Sequence, residues 1–246
     1  TNKAVTIQAR FTVQPTSITS ADIWAISTDS GGSLGDVNMT NVTFSGGVSS
    51  PIYVAFQVSG TTPNCIQKTI NDVWQWKTEN VNGFGSPAWD MSTSGLHTVY
   101  TILSEPGVPW KNDWNGGHNP SNAWTKALEF AIVNTSCGGD STASNALAHI
   151  TQYLHTGFGL TYDITNGAPA YFQYPVFHLS DYIDKSGGGN VVPARSGSIV
   201  NCYDQAGGVS VLGCLIGISV EARFMEPFGY INIVNLVGVG SCNNPF

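Results

Sequence analysis

The hydrophobic period of this chain changes near residue 104, from the two-residue alternation of half-buried strands to the wider spacing of amphipathic helices. In the first part, Val5 to Val13 alternates apolar and polar residues and ends in a turn at Gln14-Pro15-Thr16. Ile23 to Ile26, Val37 to Phe44 and Ile52 to Val58 repeat the scheme between clusters of Gly, Ser and Pro such as Ser45-Gly46-Gly47. Ile70 to Lys77 and Leu96 to Leu103 read as two further strands. Short strands at this spacing predict a β-sandwich over residues 1–104. The segment Ser104 to Trp110, with two prolines, reads as a connector.

After it, Ala123 to Ile132 and Ser144 to Leu154 carry apolar residues at helical spacing, with Ser141 or Thr142 as the N-cap of the second helix. Leu160-Thr161-Tyr162-Asp163 is a short extended piece and Phe177 to Ile183 a further turn of helix. Lys185 to Asn190 is a glycine-rich loop without the spacing of a phosphate cradle. A helix opens at Cys202, and strand-like runs follow at Ser219 to Phe224 and Tyr230 to Val237. Helices and then strands in residues 105–246, behind a sandwich, make the expected class α+β.

Composition narrows the partners. Of 246 residues only 10% are charged, and there are nine Lys and Arg in all against a net charge of -7, too few cations to build a phosphate-binding patch, so no nucleic-acid partner is expected. No apolar run approaches the roughly 20 residues that cross a bilayer. A polar surface rich in Gly, Ser, Thr and Asn, an opening Thr1 and sequons at Asn38, Asn41 and Asn134 suggest a processed, secreted glycoprotein. No metal-ligand spacing is present, since His149 and His155 are six apart, off one face of a helix. No cofactor motif is found either.

The chemistry-bearing candidate is Cys202, in Asn201-Cys202-Tyr203-Asp204-Gln205-Ala206 at the mouth of a small-residue helix. A thiol there faces unpaired N–H groups and the positive end of the helix dipole, which favour thiolate and can hold an oxyanion. The competing reading makes Cys202 half of a disulfide or a small buried apolar residue. The five cysteines, at 65, 137, 202, 214 and 242, leave one thiol over in an oxidising compartment. If that thiol is Cys202, Cys214 with Cys242 and Cys65 with Cys137 are the expected bridges, although a dimer through one cysteine uses an odd count equally well. Asp204, in the first turn, reads as a partner of the helix dipole, and its charge opposes ionisation of a nearby thiol. Six tryptophans, at 74, 76, 89, 110, 114 and 124, read first as core packing and second as a glycan- or peptide-binding cleft.

The order of two helices, the extended Leu160-Thr161-Tyr162-Asp163, a loop and the Asn201-Cys202-Tyr203-Asp204-Gln205-Ala206 helix start resembles the transglutaminase-like branch of the papain-like cysteine peptidase superfamily. The resemblance covers roughly residues 110–246. Behind the β-sandwich of residues 1–104, expected to be immunoglobulin-like, it implies a papain/transglutaminase-like α+β domain over residues 105–246. It further implies a helix-borne cysteine that attacks an amide or ester carbonyl of a protein or peptide substrate. A histidine on a following strand would act as base, oriented by an Asp or Asn. The acyl-thioester splits a hard substitution into two easier steps, and the second nucleophile decides between hydrolysis and crosslinking.

One departure stands out: His97, His118, His149, His155 and His178 all precede Cys202. The first explanation is a chain truncated at its C-terminus, its His and Asp carried by a lost segment or a second chain. The next is a preceding histidine, His178 foremost, brought round in space. The third is an incomplete site on a fold used for binding. The sequence thus supports a secreted cysteine-dependent acyl-transfer enzyme, with a non-enzymatic secreted binding or toxin-like protein that recognises a glycan or protein surface as the rival.

Overall fold

The computed structural model describes residues 3–28, 34–85, 87–107, 110, 124–165, 167–173, 176–186 and 197–221. The protein is mixed α+β, and it divides into two compact units, Thr1–Ile102 and Leu103–Phe246.

The first unit is antiparallel sheet. Its strands are β1 (Ala4–Ala9), β2 (Ser20–Ser27), β3 (Val37–Ser45), β4 (Val48–Ser49), β5 (Val54–Thr61), β6 (Gln67–Asp72), β7 (Trp74–Glu79), β8 (Trp89–Thr93) and β9 (His97–Thr101). Seven of them form one sheet in the order β1-β5-β3-β2-β7-β8, with β4 beside β3, and β6 pairs with β9 separately. The alternation seen in the sequence sets the faces: Ala21, Ile23 and Ala25 of β2 are buried while their neighbours are less so. At the centre, Phe11, Phe56 and Trp76 meet edge to face, with centroids 5.1 to 5.8 Å apart. Trp74 joins this core, and Val99 of β9 packs against it.

The run Ile70 to Lys77, expected as one strand, is two strands in different sheets. Asp72, buried, accepts the Leu34 N–H at 3.1 Å, and the Val73 carbonyl accepts from Thr28 at 3.0 Å, so the chain bends between the sheets at this point. Strand β8 is unexpected from sequence because it is an exposed edge and carries no burial period. Its Asp90 pairs with Lys77 of β7.

The second unit holds α1 (Thr125–Glu129), α2 (Ala143–Gln152), α3 (Leu179–Asp184) and α4 (Cys202–Leu215), with short strands β10 (Thr161–Tyr162), β11 (Phe172–Gln173), β12 (Val176–Phe177) and β13 (Ile199–Val200). Helices α1 and α2 each run on into a wider π-helical turn, over Phe130–Asn134 and Tyr153–Gly157. Thr142, one of the two expected caps, accepts the Asn145 N–H and starts α2. Phe177, expected within a helix, lies in β12 and α3 begins two residues later. No strand is present over Ser219 to Glu221; the rest of that run, the run Tyr230 to Val237 and most of the Lys185 to Asn190 loop lie outside the described residues.

The connector is fixed to the end of α4: the N–H groups of Leu103 and Gly107 donate to the Ile216 and Cys214 carbonyls at 3.1 and 2.8 Å. Gly217 makes this closure possible, with φ +85° and so little room that a β-carbon would sit 2.2 Å from the Ser104 carbonyl oxygen. Gly217→Ala is therefore expected to lower stability by about 2 kcal/mol or more, from positive φ and steric displacement together. Urea unfolding followed by tryptophan fluorescence checks this, and a midpoint equal to the parent's would refute it.

Among the described residues no helix is long and apolar enough to cross a membrane.

Candidate active site

The start of α4 is built by a reciprocal cap. Asn201, extended at φ -124°, accepts the N–H groups of Tyr203 and Asp204 on its side-chain oxygen at 2.9 and 3.1 Å, and Asp204 in return accepts the Asn201 N–H at 3.0 Å. The carboxylate of Asp204 does more than cap. It also accepts the N–H groups of Ala170 (2.9 Å), Tyr171 (2.7 Å) and Phe172 (2.9 Å), so that four backbone donors converge on one fully buried side chain. The Asn201 amide donates to the Gly167 carbonyl at 3.0 Å. Segment 167–172 is thus tied to the helix start by main-chain groups. Asp204 spends both oxygens on these donors, so its role is to build the loop, and it is more than the dipole partner expected from sequence.

Cys202 is the first residue of this helix, exposed and a free thiol. The cap redraws the expected oxyanion donors, since Asn201 already holds the Tyr203 and Asp204 N–H groups. Among the described residues, no acceptor meets the N–H of Cys202, the remaining donor of that turn. The second unit supplies one further group. Strands β10 and β13 run parallel, Tyr162 opposite Val200, locked by Thr161 N–H to Ser198 O and Asp163 N–H to Val200 O, both 2.8 Å. Across this pairing the Tyr162 phenol and Cys202 interact electrostatically. Burial raises the Tyr162 pKa, and the interaction with Cys202 adds to the rise. Phe172 and Tyr203 stack 7° from parallel beside the thiol-bearing turn.

The interior of α4 is glycine-lined so that aromatic rings can approach it. A β-carbon on Gly207 would lie 2.7 Å from the Phe177 ring. Tyr182, fully buried, donates its hydroxyl to Gln205 at 3.0 Å, and Gln205 in turn donates to the Leu154 carbonyl at 3.3 Å.

The histidines are not assembled around the thiol. His97 lies in the first unit, tilted against Trp74. His118 lies outside the described residues. His149 hydrogen-bonds Asp140 at 2.7 Å, a pair not anticipated from sequence. It is exposed on α2, which packs antiparallel to α4 with Leu154 beside Gln205 and Leu147 beside Gly213. His155 is exposed on the turn after α2. His178, the foremost candidate for a preceding base, stands at the N-cap position of α3 without a side-chain cap bond and lines a cavity of about 470 Å³ with Trp110, Trp124, Asp181 and Val211; Cys202 does not line it. Among the described residues no histidine is hydrogen-bonded to Cys202, and no cluster of three His, Cys, Asp or Glu side chains is placed to hold a metal ion.

The expected bridge between Cys65 and Cys137 is not formed: both are free thiols. Cys137 is buried and donates to the Ala131 carbonyl at 2.7 Å. Cys214 is also a free thiol, directed at the Val220 carbonyl, and its expected partner Cys242 lies outside the described residues. Trp74 and Trp76 do pack in a core, whereas Trp89 is exposed and Trp110 and Trp124 line the cavity.

No protein-family model matches the chain, and no curated protein or solved structure matches it either.

Proposed function

We propose that this chain belongs to a secreted cysteine-dependent acyl-transfer enzyme, a peptidase, amidase or transglutaminase that works through a Cys202 thioester. The observation that carries the reading is an exposed free thiol on the first residue of a helix held by a reciprocal cap, its own N–H without an acceptor among the described residues. In this reading the first unit is an immunoglobulin-like sandwich and the second a transglutaminase-like domain. The Cys202 sulfur attacks the carbonyl carbon of a protein or peptide substrate, and the carbonyl electron pair moves to oxygen, where the Cys202 N–H receives it. Collapse expels the amine and leaves the acyl group on sulfur. Water or a second amine then releases it. The base that carries protons through these steps comes from outside the described residues.

An activated ester tests the nucleophile without that base, since p-nitrophenolate leaves unprotonated. Incubation with p-nitrophenyl acetate is expected to give a burst of one p-nitrophenolate per chain and one acetyl adduct that maps to Cys202, both lost in Cys202→Ala. A burst that persists in Cys202→Ala, or an adduct confined to other residues, would overturn the reading. The rival, a non-enzymatic binding or toxin-like protein, draws on the cavity walled by Trp110 and Trp124 with Asp181 and His178 at its edge, the mixture of indole and polar groups that recognises glycans. Binding of an oligosaccharide unaffected by Cys202→Ala, with no acylation, would favour it.

A further inference from the structure

We propose that the cavity beside Val211 is a binding site for an organic cation, a methylated ammonium group of the choline type, and that it is separate from the thiol site. Val211 lies nine positions beyond Cys202 on α4, about two and a half turns of helix, so the wall it forms faces the opposite flank from the thiol. Three of the side chains around the cavity are aromatic, Trp110, Trp124 and Phe177, and one is a carboxylate, Asp181. Two of the rings are held before any ligand arrives. The Trp110 indole N–H donates to the Val211 carbonyl at 2.9 Å, and its main-chain N–H donates to the Gly107 carbonyl at 2.9 Å. The Phe177 ring occupies the space that a side chain at Gly207 would fill, 2.7 Å from where a β-carbon would sit. Walls already in place spare a ligand the cost of ordering them.

Charge decides the occupant. Trp110 spends its only side-chain donor on main chain, so what it offers a ligand is the π surface of the indole, which attracts cations. Trp124 shows the same attraction within the protein: the Lys126 ammonium stands 5.8 Å from its ring centroid. That ammonium also meets the Asp184 carboxylate at 2.6 Å, so its charge is offset and does not act in full against a second cation. Asp181 is paired with no cation among the described residues; one of its oxygens accepts the Ser186 hydroxyl at 3.2 Å. A half-buried carboxylate among three rings is the counter-charge an ammonium needs. The net charge of -7 favours ligands of the same sign. A methylated ammonium has no N–H to satisfy, so contact with rings and one carboxylate suffices. A sugar needs a partner for every hydroxyl it buries, and beyond Asp181 the polar side chains of the wall are only His178 and Ser180.

The test is a calorimetric titration of the full chain with choline chloride, expected to show one site with a Kd of about 1 mM or tighter. The control is 3,3-dimethylbutan-1-ol, which has the shape of choline without its charge and is expected to bind at least about 10-fold more weakly. Trp124→Ala is expected to weaken choline binding about 10-fold. Asp181→Asn is expected to weaken it about 5-fold and to leave the neutral alcohol unaffected, which also verifies that this variant folds. Phosphocholine titrated alongside separates the two sources of the group: binding as tight as choline's marks a headgroup ester as the occupant, weaker binding the free cation, and either supports the site. Equal affinity for choline and the neutral alcohol overturns the proposal by marking the cavity as merely apolar. Choline affinity unchanged in both variants, no choline binding, or an oligosaccharide bound there in its place overturns it too. Cys202→Ala is expected to bind choline as the parent does, so failure of the acylation test and failure of this one are separate results.

Discussion

Asp204→Ala is expected to unfold the second unit or bring it to the edge of unfolding. The substitution leaves four backbone N–H groups, of Asn201, Ala170, Tyr171 and Phe172, without their acceptor in a fully buried site. Each buried donor left unmade costs roughly 1–3 kcal/mol, so the sum is on the order of 4 kcal/mol or more, a large share of the 5–15 kcal/mol that holds an ordinary domain together. Asp204→Asn keeps the shape but replaces one acceptor oxygen by a donor that faces N–H groups, and a loss of about half that size is expected. Circular dichroism and urea unfolding measure both. A loss below about 1 kcal/mol for Asp204→Ala would show that segment 167–172 is held by other means.

The second large effect is a difference between thiols in one molecule. Native protein treated briefly with iodoacetamide at pH 8 is expected to be alkylated at Cys202 at least about 100-fold faster than at Cys137. Cys202 is exposed on the first turn of α4, while Cys137 is fully buried, and burial pushes its pKa up to about 11, with the Asp140 charge adding to the rise against a partly offsetting hydrogen bond from Thr135. Cys137 is therefore both inaccessible and protonated. The sign for stability follows from the raised pKa. The folded form keeps a proton that the unfolded chain gives up above its ordinary thiol pKa near 9, so this contribution is intact below pH 9 and declines as pH rises toward 11. Peptide mapping with and without urea checks the contrast: Cys137 should label on unfolding. Equal native labelling of the two thiols would sink it.

The helix start was the most legible part of the sequence. Cys202 at the mouth of a small-residue helix with Asp204 in its first turn was read correctly, although the reciprocal cap that Asn201 and Asp204 make there was not. What was not legible is how far Asp204 reaches. Its partners Ala170 to Phe172 lie more than thirty residues earlier and contribute only backbone N–H groups, which leave no trace in residue types. Tyr162 was visible as part of a short extended segment, but its interaction with Cys202 arises across a two-residue parallel pairing with Ile199–Val200, too short to announce itself by period. The sheet strands of the first unit followed their alternation, as in β2, β3 and β5, and failed where one face was not buried, as in β8, or where a run crossed between sheets at Val73. The Cys65–Cys137 expectation failed because counting cysteines carries no distance.

The four N–H bonds to Asp204 have a consequence for how this surface can diversify. A carboxylate that grips main chain is indifferent to the side chains on that stretch, so Phe172 can be exchanged for other residues while the loop and the thiol-bearing turn keep their positions. Phe172 is the ring stacked on Tyr203 beside Cys202. The frame and the outline of the site are therefore inherited separately: drift at position 172 reshapes what approaches the thiol, while any drift at position 204 is purged by loss of the fold. Libraries that randomise Phe172 and Tyr203 and keep Asn201 and Asp204 fixed are the route this architecture offers to altered selectivity.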